Sequence, residues 1–278
     1  MEYNFIDDYE HINSEVEYIL ENVLSEDTLQ SSSPESKQLV DLFNTLLLNK
    51  CSCKECNNYL CTHGCSYEPD LESKELMISR DNFSDLLYEC TSLCSCKTKT
   101  CCNRLVQYGP RKDLKIIFSK KYQSYGIITT RDIPRGAFIC EYAGELLTRE
   151  EAMKRVYENK KQGRMNYVLC LKESLNGPHL DVTNNGGFTI IVDPAKRGNI
   201  GRYLNHSCNP NCQIFSVRVD SPIPKIGIFA KRFIKSGEEL CFHYNEGRKC
   251  SPQSSFEDRI LCLCKSEVCE SFLPNADI

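Results

Sequence analysis

The chain has 278 residues, of which 41% are apolar and 26% charged, with a formal net charge of -4. A chain of this size buries a core without needing disulfides, and its composition excludes wholesale disorder and a collagen-like repeat. No apolar run approaches the ~20 residues of a membrane span, and the start Met-Glu-Tyr-Asn-Phe-Ile-Asp-Asp is acidic where a secretion signal is basic, so a secreted or membrane protein is not expected.

Residues 1–50 read as an acidic helical N-terminal segment. Residues 1–37 carry ten acids against Lys37 alone, a net -9, which leaves +5 on the remainder. A solvated acidic face is the plain reading; the sharper one is a head that repels nucleic acid or attracts a basic partner. The balance lacks the basic footprint of a sequence-specific DNA binder. Ile12, Val16 and Leu20 fall at helical spacing, as do Leu39, Leu42, Phe43, Leu46 and Leu47, and Ser31-Ser32-Ser33-Pro34 separates the two groups. Residues 51–104 are cysteine-rich and poor in large apolar side chains. Residues 105–245 alternate turn residues with short β-type runs: Lys115–Phe118, Gly126–Thr130, Ala137–Tyr142, Asn166–Leu171, Phe188–Asp193, Ile214–Val219, Lys225–Ala230 and Glu239–Tyr244. One helix interrupts them, opened by Thr148 and Glu151 as a capping box and closed by Gly163. Residues 246–278 form a polar linker and a second, smaller cysteine cluster.

Nineteen cysteines, an odd number without a secretion signal, point to reduced thiols that hold metal. The first block reads Cys51-x-Cys53-x2-Cys56-x4-Cys61-x3-Cys65, then Cys90-x3-Cys94-x-Cys96-x4-Cys101-Cys102. Zinc favours four sulfurs in a tetrahedron. Nine thiolates complete three such sites only if three of them bridge, and close C-x-C pairs suit a compact trinuclear cluster. The competing reading is a disulfide knot in a secreted domain, which predicts no zinc and few free thiols. Near the C-terminus, Cys262-x-Cys264-x4-Cys269 supplies three ligands of a fourth site, and spacing alone does not pick the remaining one.

Between the clusters lie Gly201-Arg202-Tyr203-Leu204-Asn205-His206-Ser207-Cys208-Asn209-Pro210-Asn211 and Glu238-Glu239-Leu240-Cys241-Phe242-His243-Tyr244. Together with Cys140-Glu141-Tyr142-Ala143-Gly144-Glu145, Val192-Asp193-Pro194, Gly198-Asn199-Ile200-Gly201-Arg202 and the tail Ser271-Phe272-Leu273-Pro274, these strings resemble the histone-lysine methyltransferases with pre-SET, SET and post-SET regions. The resemblance covers about residues 51–274. It implies a mainly β protein with short helices: a SET fold of small curved sheets around a pseudoknot, in which Asn205–Cys208 passes through a loop closed by Glu239–Tyr244. It assigns 51–104 as pre-SET, 105–245 as SET and 246–278 as linker and post-SET. It gives Cys51, Cys53, Cys56, Cys61, Cys65, Cys90, Cys94, Cys96 and Cys101 to three zincs, and names Cys208 as the partner of Cys262, Cys264 and Cys269 on a fourth. Cys102, Cys140, Cys170, Cys212, Cys241 and Cys250 are then spare, as small hydrophobes or surface thiols.

The implied reaction moves a methyl group from S-adenosylmethionine (SAM) to a lysine ε-amine of a histone tail or nucleosome, which places the protein on chromatin in the nucleus. A lysine of pKa ~10.4 is almost wholly protonated at neutral pH, so the site must favour the neutral amine by desolvation and align it with the methyl group. By resemblance, Tyr244 and Tyr167 are the catalytic tyrosines. Ser124, Tyr125, Gly126, Tyr167, Arg202, Asn205 and His206 would bind cofactor, the Asn205–His206 pair largely through backbone groups. Phe242 stands at the position that tunes methyl number, and a phenylalanine there leaves room for more than one. Two residues depart from the family: Ser124-Tyr125-Gly126 replaces a Gly-Trp-Gly-like turn, where Ser124 fits poorly on a glycine-only backbone angle, and His243 replaces an aspartate. They sustain an alternative, a zinc-stabilised chromatin-binding module with weak or no catalysis.

Overall fold

The computed structural model describes residues 7–54, 56, 61, 65–78, 86–96, 101–172, 189–245, 259–274 and 278. The linker before residue 259, the turn residues 176, 177, 186 and 187, and Cys250 lie outside them. No described helix is long and apolar enough to cross a membrane.

Short strands dominate. In chain order they are β1 (Glu17–Tyr18), β2 (Val23–Leu24), β3 (Tyr67–Pro69), β4 (Leu76–Ile78), β5 (Leu86–Tyr88), β6 (Leu114–Ser119), β7 (Ser124–Thr129), β8 (Phe138–Glu141), β9 (Gly144–Leu146), β10 (Leu169–Lys172), β11 (Thr189–Gly198), β12 (Asn205–His206), β13 (Cys212–Arg218), β14 (Lys225–Ala230) and β15 (Glu239–Phe242). Among the described residues three α-helices accompany them: α1 (Glu26–Gln30), α2 (Pro34–Asn44) and α3 (Arg149–Lys161). One sheet runs β1-β11-β9-β2 with β10 on β11, a second β12-β15-β7-β6, a third β5-β13-β14-β8, and β3 pairs β4 alone. Apolar side chains from the inner faces, among them Ile127, Ile139, Val192, Ile226 and Leu240, meet in a shared core. All eight β-type runs become strands, because β-branched and aromatic residues fit a pleated, half-buried surface.

The helix starts follow from caps. Thr148 accepts the Glu151 N–H onto its hydroxyl at the head of α3, and Ser33 does the same for Ser36 ahead of Pro34 in α2. Gly163 closes α3 at φ +61°, a left-handed angle that glycine takes without strain.

The N-terminal segment corrects the expectation. Ile12, Val16 and Leu20 form no helix: the chain turns, and Glu17–Tyr18 lies as a parallel strand against Arg197–Gly198 of β11. Val23–Leu24 then pairs parallel with Glu145–Leu146 of β9. Three isolated apolar residues among acids make too thin a stripe to hold a helix, whereas a sheet edge offers unpaired backbone groups. Residues 17–24 are thus woven into the first sheet, and Leu24 reaches the core.

Candidate active site

The sulfurs gather into quartets. Cys51, Cys56, Cys61 and Cys90 form one quartet, Cys56, Cys90, Cys96 and Cys101 a second, and Cys208, Cys262, Cys264 and Cys269 a third. Sulfur separations are 3.6 Å for Cys51–Cys56, Cys56–Cys90 and Cys96–Cys101, and 3.8 Å for Cys208–Cys262. A tetrahedron built on Zn–S bonds of ~2.3 Å has edges of ~3.8 Å, whereas a disulfide is ~2.05 Å. The described cysteines are all free thiols, so the disulfide-knot reading fails. Cys56 and Cys90 belong to both of the first two quartets, as bridging ligands would, and Cys53, Cys65 and Cys94 pack against them. Amide N–H groups of Cys51 and Thr91 point at Cys94 Sγ, each at 3.2 Å, and the buried Arg104 guanidinium lies 3.8 Å from Cys96 Sγ. Donors aimed at sulfur suit thiolate ligands. Of the spare cysteines, Cys140, Cys212 and Cys241 are buried while Cys102 and Cys170 are half-buried.

The second sheet gathers the aromatic residues. β12 runs parallel beside β15, with Asn205 opposite Cys241 and His206 opposite Phe242. Asn211 staples the crossing: its Nδ2 donates to the Glu239 carbonyl at 2.9 Å and its Oδ1 accepts the Cys241 N–H at 2.9 Å. Ser207 N–H donates to the Phe242 carbonyl at 3.1 Å. The strand ends at Phe242, so Tyr244 lies just beyond it. Its hydroxyl donates to the Leu204 carbonyl at 3.0 Å and its N–H to His206 Nδ1 at 3.2 Å. The Phe242 and Tyr244 rings are 5.0 Å apart. Burial, reinforced by Tyr167, raises the Tyr244 phenol above its ordinary value and keeps it neutral.

Arg202 packs on two tyrosines. Its guanidinium stacks over Tyr167 at 4.5 Å and Tyr203 at 5.1 Å, and its Nε donates to the Pro194 carbonyl at 3.0 Å. Tyr125 projects outward, edge-on to Phe118 and Tyr203. Burial first, then His243, lowers His206 to about 4, so its imidazole is neutral. With Nδ1 accepting from Tyr244, Nε2 carries the proton toward Cys208 Sγ at 3.3 Å. One histidine therefore joins the third quartet to the Tyr244 backbone.

The structure brings Tyr244, Tyr167, Phe242, Arg202, Asn205, His206 and the 124–126 strand start to one region. It relieves the departure at Ser124. The positive φ falls on Gln123, not on Ser124, so no glycine-only angle is imposed there. The His243 ring turns edge-on to His206 at 4.7 Å. Sequence reasoning missed Tyr142, whose buried ring lies 6.0 Å from Phe242 and whose hydroxyl donates to the Tyr167 carbonyl at 2.6 Å. It also missed Asn211 and Glu239. All three stand inside strings that carried the resemblance, but only tertiary contact reveals what each does.

Comparison with known proteins agrees with this geometry. Residues 124–245 match the SET domain family. The chain is 43% identical over 194 residues to the probable histone-lysine N-methyltransferase set-23 of Caenorhabditis elegans, spanning 69% of this chain and 73% of that protein. Its fold is similar to the crystal structure of the methyltransferase domain of human histone-lysine N-methyltransferase SETMAR, with a TM-score of 0.71 and 28% identity, covering 95% of this chain and 91% of that one. Arabidopsis thaliana SUVH6, solved in complex with SAM, shares the fold at a TM-score of 0.67 and 24% identity, over 96% of this chain and 51% of that one. With the paired β12–β15 strands and the sulfur quartets, these likenesses settle the family: the chain belongs to the SET-domain histone-lysine N-methyltransferases, which are SAM-dependent enzymes.

Proposed function

We propose that this chain methylates a lysine ε-amine of a histone tail on the nucleosome, adding more than one methyl group, and that it works on chromatin in the nucleus. The observation that carries the reading is the cluster of Tyr244, Phe242 and Tyr142 rings beside the β12–β15 crossing. Bound SAM would supply an electrophilic methyl group; the remaining chemistry belongs to the chain. Apolar ring faces desolvate the incoming side chain and so favour its neutral amine. The Tyr244 hydroxyl donates to Leu204, which leaves its lone pairs free to accept an amine N–H and aim the nitrogen. Phe242 has no hydroxyl to hold a water, so space remains for a methylated nitrogen. Arg202 holds Tyr167 in place, and residues 124–126, 205 and 206 form the cofactor wall.

Nine pre-SET thiolates would hold three zincs and Cys208, Cys262, Cys264 and Cys269 a fourth. The role of these ions is structural: four protein sulfurs leave no open position on a metal. Incubation with nucleosomes and methyl-labelled SAM tests the reading. The expected result is label on a histone; nucleosome binding without label would favour the non-catalytic alternative.

A further inference from the structure

We propose that Glu239 and Ser124 are positioning residues for the cofactor pocket, acting through the side chain of Asn205. The inference rests on the reading of residues 124–126 and 205–206 as the cofactor wall. The Asn205 amide sits between β7 and β15. Its Nδ2 lies 2.9 Å from Glu239 Oε1 and 3.2 Å from the Tyr125 carbonyl oxygen, and its Oδ1 lies 3.0 Å from Ser124 Oγ. The two ends of an amide are alike in shape, so its neighbours decide its orientation. A carboxylate and a backbone carbonyl only accept, so both claim the NH2 end. Oδ1 then faces Ser124, whose hydroxyl donates to it. The serine that departs from the family thus supplies a donor that a glycine lacks.

Glu239 is itself held, because Ser119 Oγ donates to its Oε2 at 2.7 Å. The backbone is fitted to this arrangement. A Cβ on Gly126 would collide with the Glu239 carboxylate and lie 2.9 Å from Asn205 Nδ2. Four segments are therefore clasped at one point: the end of β6, the start of β7, β12 and β15. Without the carboxylate the amide loses its strongest reason to keep its orientation. A half-turn about its terminal bond would set Asn205 oxygen against the Tyr125 carbonyl oxygen, two acceptors facing each other, and the 124–126 wall would loosen.

The test measures SAM affinity calorimetrically and kcat at saturating SAM on the full chain. Glu239→Leu is expected to weaken SAM binding about tenfold, the scale of one hydrogen bond to a charged group, with kcat nearly unchanged. Glu239→Gln keeps an acceptor for Asn205 and should restore affinity. Ser124→Ala should weaken binding less, and the Ser124→Ala/Glu239→Leu double variant should fall short of the summed losses, because both act through one amide. Unchanged affinity in a folded Glu239→Leu and in Ser124→Ala, or additive losses, would overturn the inference while leaving the cofactor site standing. Failure of the unsubstituted chain to bind SAM would overturn the site reading and the inference with it.

Discussion

At the scale of single residues, the Tyr244 hydroxyl carries the proposed chemistry. Tyr244→Phe removes one oxygen from a ring already packed on Phe242. Turnover is expected to fall about 10²-fold, the loss typical of one preorganised hydrogen-bonding group, while SAM affinity holds and stability falls by only the ~1 kcal/mol of the lost bond to the Leu204 carbonyl. Single-turnover kinetics beside a melting curve would check this; unchanged turnover would remove Tyr244 from its role. Tyr244, Phe242, Asn205 and His206 came from the resemblance that their short strings carry, and the structure sets them side by side. Glu239 and Tyr142 were not. Glu239 acts on Asn205, and Tyr142 on the Tyr167 carbonyl, across many intervening residues; neither contact leaves a periodic trace in the sequence.

At the scale of elements, the N-terminal strap deserves a mutational test because sequence pattern misjudged it. Helix α3 was readable from its capping box and α2 from its apolar spacing, although α2 stops at Asn44, short of Leu46 and Leu47, but β1 and β2 are two-residue strands that exist only because β11 and β9 offer edges. His11 fastens the strap: its Nε2 donates to the Gly198 carbonyl at 3.0 Å, so Nδ1 accepts from the Tyr203 hydroxyl at 3.1 Å. The ring faces Tyr18 and Tyr203, with Arg202 near Tyr203 and Asp7 bonded to the Tyr18 hydroxyl. Burial, aided by the Arg202 charge, lowers the His11 pKa from its usual value near 6.5. The folded state then takes up a proton less readily than the unfolded one, so this stabilisation is present above pH ~6.5 and is lost as pH falls through that value. Melting temperatures at pH 7.5 and 5.5 should drop more steeply for the unsubstituted chain than for His11→Gln; equal drops would contradict the account. Removing residues 1–24 should cost roughly 3–6 kcal/mol, from two buried aliphatic side chains, Ile19 and Leu24, at about 1.5–3 kcal/mol each. Denaturant titration would measure it, and a loss under about 1 kcal/mol would show that the strap is not part of the fold.

At the scale of the whole molecule, metal is expected to hold both ends of the chain around the pocket. The cysteine blocks were the most legible feature of the sequence, because ligand chemistry tolerates few alternatives to sulfur at that spacing. Cys208 was not legible from spacing, since it joins Cys262, Cys264 and Cys269 only through the fold. Cys264→Ser should lower zinc content by about one ion per chain, leave the pre-SET zinc in place and weaken SAM binding, since Cys208 touches His206 and His206 holds the Tyr244 backbone. Elemental analysis with calorimetry would check both parts; unchanged zinc and SAM affinity would break the coupling. The central claim, a threaded aromatic pocket that steers an uncharged amine onto a methyl donor, is tested most directly by mass spectrometry of nucleosomes after incubation with the full chain and SAM. The account predicts a histone-tail lysine carrying two or three added methyl groups. Unmodified histones alongside a zinc-loaded, SAM-binding protein would contradict it.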